Sequence, residues 1–201
     1  MTETVRVDRS APTGGSVVAD TFPRLLLQHA RVRPQQAAIR EKKYGIWQTH
    51  NWAEVAQHVR ALACGLAARG FQRGDRLAIV GDNRPRLYWA ISACQCLGGI
   101  PVMMYQDAVA QEMTYVLQDA EVRFAVVEDQ EQVDKLLEIQ HEVPQLERIF
   151  YDEGRGMRHY SQPVLTSLDA LQDEGRRRDE AQPGFLDDEI AKGDTDDISV
   201  M

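Results

Sequence analysis

Four short apolar runs, Leu77–Val80, Pro101–Met104, Phe124–Val127 and Ile149–Tyr151, recur through this sequence with amphipathic segments between them. None of the runs alternates with polar residues, so each predicts a strand covered on both faces. The helical segments between them predict crossovers, which leave successive strands parallel. The expected fold class is therefore α/β, an open, mostly parallel, doubly wound sheet with flanking helices. A last run, Ile198 to Met201, reads as the first half of another buried strand, so the sheet is expected to be incomplete at the carboxyl end.

The punctuation around these runs is chemical. A first helix is expected from Asp20-Thr21, with Pro23 in its first turn and Leu25, Leu26, His29 and Ala30 as its inner face. Arg31 and Arg33 suit its carboxyl end, and Pro34 closes it. Ala37 to Lys42 and Ile46 to Thr49 read as a strand pair around Tyr44-Gly45. Asn51, with Glu54 three residues on, predicts a capping box at the head of a second helix. Along that helix Trp52, Val55, Ala56, Val59, Leu62, Ala63 and Leu66 form one apolar stripe, and Gly70 ends it. Asn83, Asp107 and Asp129 are expected to cap later helices, and Pro144 to end the last of these. Leu87 to Gln106 carries no charge and reaches the length of a bilayer span, roughly 20 residues. Gly98, Gly99 and Pro101 divide it, however, into a helix and a strand.

Residues 1–19, rich in Ser, Thr, Gly and charge, predict a flexible arm. The segment 173–201 predicts mostly charged surface loop, with a short helix, leading into a truncated strand. With 43% hydrophobic and 27% charged residues over 201 positions, the chain can bury a sizeable core. Its net charge of −8 argues against non-specific attraction to nucleic acid or to anionic membrane. The three cysteines, Cys64, Cys94 and Cys96, lie on apolar segments without secreted-scaffold spacing, and no secretory signal precedes them, which predicts reduced thiols and a cytoplasmic location. Cys94 and Cys96, two apart on a helix, point about 200° from each other and do not suit one ion.

In an open parallel sheet, ligands settle beyond the carboxyl ends of the strands. The loops there are Gly81-Asp82-Asn83, Tyr105-Gln106-Asp107 and Glu128-Asp129, and the first two are the substrate-crevice candidates. Helix capping is the competing role for Asn83, Asp107 and Asp129. Gly98-Gly99 precedes a strand, so it is no dinucleotide fingerprint, and neither a phosphate loop nor a GxSxG nucleophile occurs. The five histidines show no HxxxH or HExxH spacing, which leaves no predicted metal site and no predicted catalytic residue.

Three stretches together resemble the amino-terminal region of adenylate-forming, AMP-dependent acyl-CoA synthetases. They are Trp52-Ala-Glu54-Val55, then Gly81-Asp82-Asn83-Arg84-Pro85 with Trp89-Ala90, then Leu97-Gly-Gly-Ile-Pro-Val-Met-Met-Tyr-Gln-Asp107. The GDN junction and the YQD ending are similar to the long-chain fatty acid–CoA ligase branch. Met103-Met104 departs from the Pro-Leu expected in that motif. The resemblance implies that residues 20–172 are an α/β amino-terminal subdomain of such a ligase. It implies ATP, Mg2+ and CoA as cofactors of the parent enzyme, with none expected on this segment, and long-chain fatty acid, ATP and CoA as the parent's partners. Peripheral membrane contact and a homodimer are left open. Asp194-Thr-Asp-Asp-Ile-Ser199 resembles the lead-in to the family's Ser/Thr/Gly-rich phosphate loop, so no family catalytic residue transfers, and the segment is expected to be inactive alone. The rival expectations are a non-catalytic binding or assembly module on the same fold, and an unrelated nucleotide-binding α/β domain.

Overall fold

The computed structural model describes residues 19–201, so all but the last residue of the expected arm lies outside the described residues. The elements run α1 (Phe22–Val32), β1 (Ala37–Lys43), β2 (Ile46–Asn51), α2 (Trp52–Ala68), β3 (Arg76–Val80), α3 (Pro85–Cys96), β4 (Ile100–Met104) and α4 (Ala110–Asp119). They continue with β5 (Phe124–Val127), α5 (Gln130–Glu138), β6 (Arg148–Tyr151), a 3-10 turn at Met157–His159, β7 (Leu165–Ser167), α6 (Leu168–Ala181) and α7 (Phe185–Ala191). β1 and β2 form a separate antiparallel hairpin, while the five-stranded sheet has the order β4-β3-β5-β6-β7 with every pairing parallel.

Side chains alternate between two cores across this sheet. Leu77, Ile79, Phe124, Val126 and Phe150 face α1, α2, α3, α6 and α7, whereas Ala78, Val80, Ala125, Val127 and Ile149 face α4 and α5. At roughly 1.5–3 kcal/mol for each fully buried large apolar side chain, the two faces together supply the main driving force for the architecture. The amino-terminal end of the sheet is tied by Arg123. Its guanidinium meets both oxygens of Asp75, at 2.9 and 3.0 Å, and forks onto Glu147.

Several expected helix starts are present: Thr21 caps α1, Asn51 and Glu54 form the capping box of α2, and Asp129 caps α5. Two are not. α3 starts from Arg84 without a side-chain cap, and α4 starts from Val109, where Glu112 reaches back to the Val109 amide. Asn83 instead accepts from the Tyr88 hydroxyl at 2.8 Å. α5 ends at Glu138, ahead of Pro144, and tight turns carry the chain between them. Beyond residue 173 the expected loop is largely helical, because Leu171, Leu186 and Ile190 find places in the first core. Ile198 to Met201 is exposed and forms no full strand. Met201 nevertheless accepts from the Met103 amide at 3.2 Å and donates to the Pro101 carbonyl at 2.9 Å, the pattern of a parallel ladder beginning on the outer edge of β4.

α2 is buried on a second face that its apolar stripe does not predict, where Ala61, Cys64 and Gly65 lie against α6. The approach is a backbone contact. A Cβ on Gly175 would overlap the Ala61 carbonyl oxygen, and one on Gly65 would overlap that of Leu171. Nearby, the His58 imidazole stacks on Trp89 at 4.0 Å and 2°, with His50 edge-on to the same indole and Gln172 at 3.2 Å from Nδ1. Burial, followed by the charges of His50, Arg86 and Arg176, holds the His58 pKa below its ordinary 6.5, with Glu54 opposing.

Two outcomes follow from this helix packing. Gly175→Ala forces α2 and α6 apart and lowers unfolding stability by roughly 1–3 kcal/mol, measured by urea denaturation. For His58 the folded-state pKa lies below the unfolded one, so its stabilising contribution is complete above the unfolded value and is lost as pH falls below it. Melting temperature therefore drops between about pH 7.5 and pH 5.5, and His58→Phe, which keeps the stack on Trp89, flattens that drop; an unchanged pH profile in the variant removes His58 as its source.

Candidate functional site

The strand order decides where the crevice lies. From β3 the chain crosses to β4 on one side and then returns past β3 to β5 on the other, so the direction of winding reverses between β3 and β5. That reversal opens the crevice at the carboxyl ends of β3 and β5, where Gly81-Asp82-Asn83 faces Glu128. Of the expected pair of loops, Gly81-Asp82-Asn83 is at this point. Tyr105-Gln106-Asp107 leaves the same end of the sheet one strand further out, next to Val80 and Met104 in register. No hydrogen bond joins the two loops among the described residues.

The crevice between β3 and β5 is filled by a side chain of its own. One Glu128 carboxylate oxygen accepts from the Asp82 amide at 2.6 Å and the other from Arg84 Nε at 2.9 Å, with the Glu128 side chain 15% exposed. This hydrogen bond and the nearby negative charge raise the Arg84 pKa. Gly81, at φ 152°, makes the approach feasible, since a Cβ there would stand 2.6 Å from that of Glu128. The amide that would greet a phosphate already holds an anion. The Asp82 amide is therefore not free to receive a phosphate oxygen.

Around the rim, Tyr105 is 89% exposed, and the Gln106 carbonyl accepts from Lys135 Nζ at 2.6 Å. Asp107 has no side-chain hydrogen bond among the described residues. Arg86 meets Asp152 at 2.9 Å as an ion pair poorly aligned for hydrogen bonding, and reaches Asp169 at 2.6 Å. Burial raises the Asp152 pKa despite Arg86 and Lys43. The thiols are unsuited to nucleophilic work, with burial pushing Cys64 up to about 11 and Cys96 up to about 12. Among the described residues no three His, Cys, Asp or Glu side chains are gathered for a metal ion. Glu128, in the third of the expected loops, and Arg84, next to the first, are the crevice residues that sequence reasoning named but did not select. Their signal lay in strand order, which a single sequence does not display.

Comparison with known proteins identifies the family. Residues 26–198 match the sequence profile of the AMP-binding enzyme family. The long-chain-fatty-acid–CoA ligase FadD15 of Mycobacterium tuberculosis is 28% identical over 165 residues, covering 81% of this chain, which spans only 26% of that protein's length. Among solved structures, acetoacetyl-CoA synthetase from Streptomyces lividans superposes with a TM-score of 0.67 at 22% identity, over 75% of this chain and 24% of the other. The N-terminal domain of FACL13 from M. tuberculosis gives 0.57 at 19%, over 77% of this chain and 35% of the other, a similarity of fold alone. With its profile match running from α1 to the β4-paired tail, the chain belongs to the AMP-binding enzyme family.

Proposed function

We propose that the chain is the amino-terminal portion of a long-chain fatty acid–CoA ligase. In that enzyme a fatty acid is activated with ATP and Mg2+ to an acyl-adenylate, and the acyl group is then passed to CoA in the cytoplasm. The observation that carries this reading is the continuous similarity to FadD15 across 81% of the chain, on the fold of an adenylate-forming ligase. Adenylate formation develops charge on phosphate oxygens and needs fixed donors around them. At the sheet crevice the Asp82 amide is held by Glu128. The segment therefore acts as scaffold: its loop at Gly81, Asp82 and Asn83 serves as a rigid wall, and Tyr105, Gln106 and Asp107 are the residues turned toward a substrate cleft.

Incubated with ATP, Mg2+, palmitate and CoA, the isolated chain yields no acyl-CoA; turnover by the pure protein would overturn the scaffold reading. Exchanged for the matching segment of FadD15, it supports ligase turnover. A folded but inactive chimera counts against the ligase assignment and toward a binding or assembly module. The wall role is tested separately by Glu128→Ala, which leaves Arg84 and the Asp82 amide to water and costs about 1 kcal/mol of unfolding stability. A neutral substitution there would mean that the carboxylate is not part of the framework.

A further inference from the structure

We propose that the β1–β2 hairpin is a surface anchor that seats its tip in the interface of an anionic lipid bilayer. The base of the hairpin is fixed: Ala38 and Ile39 pack against the first core, His50 lies against Trp89, and the Trp52 amide donates to Gln36. Its far end carries Tyr44 at 79%, Ile46 at 65% and Trp47 at 65% exposure. The pairing Lys42↔Trp47 and Lys43↔Ile46 sets Trp47 on one face of the ribbon and Ile46 on the other, with Tyr44 on the turn. Large side chains on both faces of a projecting tip do not make the one-sided patch that a docked protein covers. A medium that surrounds the tip does cover them, and Trp and Tyr favour the headgroup level of a bilayer.

The charges fit the same occupant. Arg40, Lys42 and Lys43 stand against Glu41 alone on β1, and two of the chain's four lysines are side by side here. None of the three cations is ion-paired among the described residues. The chain's net charge of −8 opposes diffuse attraction to an anionic surface, but charges further off than about 8 Å are largely screened at physiological salt, so the surface meets chiefly Arg40, Lys42 and Lys43, with Glu41 beside them and Asp152 and Glu153 acting on Lys43. Tyr44 holds a φ of 50° beside Gly45 at 79°, the two left-handed residues of a type I′ turn. A bulky side chain is an uncommon occupant of that position, and it places an aromatic ring at the extreme of the projection.

This inference does not rest on the ligase reading, and its test contains neither nucleotide nor acyl substrate. The 201-residue chain is sedimented with vesicles of phosphatidylcholine alone and of phosphatidylcholine and phosphatidylserine in equal parts. It is expected to bind the mixed vesicles with a blue shift in tryptophan emission. Trp47→Phe retains binding but loses the shift, because Trp89 is already buried and Trp52 is packed against the first core at the base of the hairpin. Ile46→Ser with Trp47→Ser abolishes capture, and Lys42→Glu with Lys43→Glu weakens it at least about tenfold; circular dichroism verifies that these exposed substitutions leave the fold intact. Absence of capture by either vesicle overturns the proposal, as does capture unchanged in both double variants. A dimer in analytical ultracentrifugation that Trp47→Ser dissolves would likewise overturn it, since the tip would then serve a second copy of this chain.

Discussion

The burial of β5 on both faces is the constraint from which the rest of the structure follows. Phe124 and Val126 enter one core and Ala125 and Val127 the other, so helices must cover both sides of the sheet and β5 must lie between two neighbours. With β3 on one side and β6 on the other, the winding has to reverse beside β5, and the loop after β3 is thereby brought against the residue after β5. Glu128 fills that junction. The same packing that defines the architecture thus also closes the position where an open sheet usually receives a ligand.

The strands were legible in the sequence because four uninterrupted apolar runs leave little choice of element, and their bounds agree with β3, β4, β5 and β6 to within a residue. β7 was not legible: Leu165 to Ser167 is short, partly exposed and continuous with the helix after it. Capping was legible where one side chain had one task, as at Asn51 and Asp129. It failed at Asn83 because the Tyr88 hydroxyl competes for the side-chain oxygen, and at Asp107 because Glu112 offers the backbone a capping partner two residues further on. The site was legible only as a set of loops. Which loops face each other depends on strand order, and that depends on long-range packing no local pattern records.

The acidic tail is likewise ordered by contacts its composition conceals. Arg24 donates to the carbonyls of Ala191 and Gly193, Arg73 to that of Glu189, and Arg60 meets Asp187 at 2.7 Å. Arg24 and Arg73, at the carboxyl end of α7, interact favourably with the helix dipole and satisfy carbonyls the helix leaves open, while Arg60 sits at its first turn. Arg73 also reaches Asp197, so the segment that returns to the edge of β4 is guided by arginines from two distant parts of the chain.

The glycine contact between α2 and α6 has a kinetic consequence. Arg60 and Asp179, which flank it, are 119 residues apart in sequence, so α2 cannot cover its second face until α6 is available. During synthesis α2 leaves the ribosome well before α6 and waits with Ala61, Cys64 and Gly65 uncovered while the sheet assembles beside it. Closure of this long loop belongs late in folding, after the more local strand–helix–strand units have formed, and the waiting helix face is where a nascent chain of this type is most open to chaperones or to misassociation.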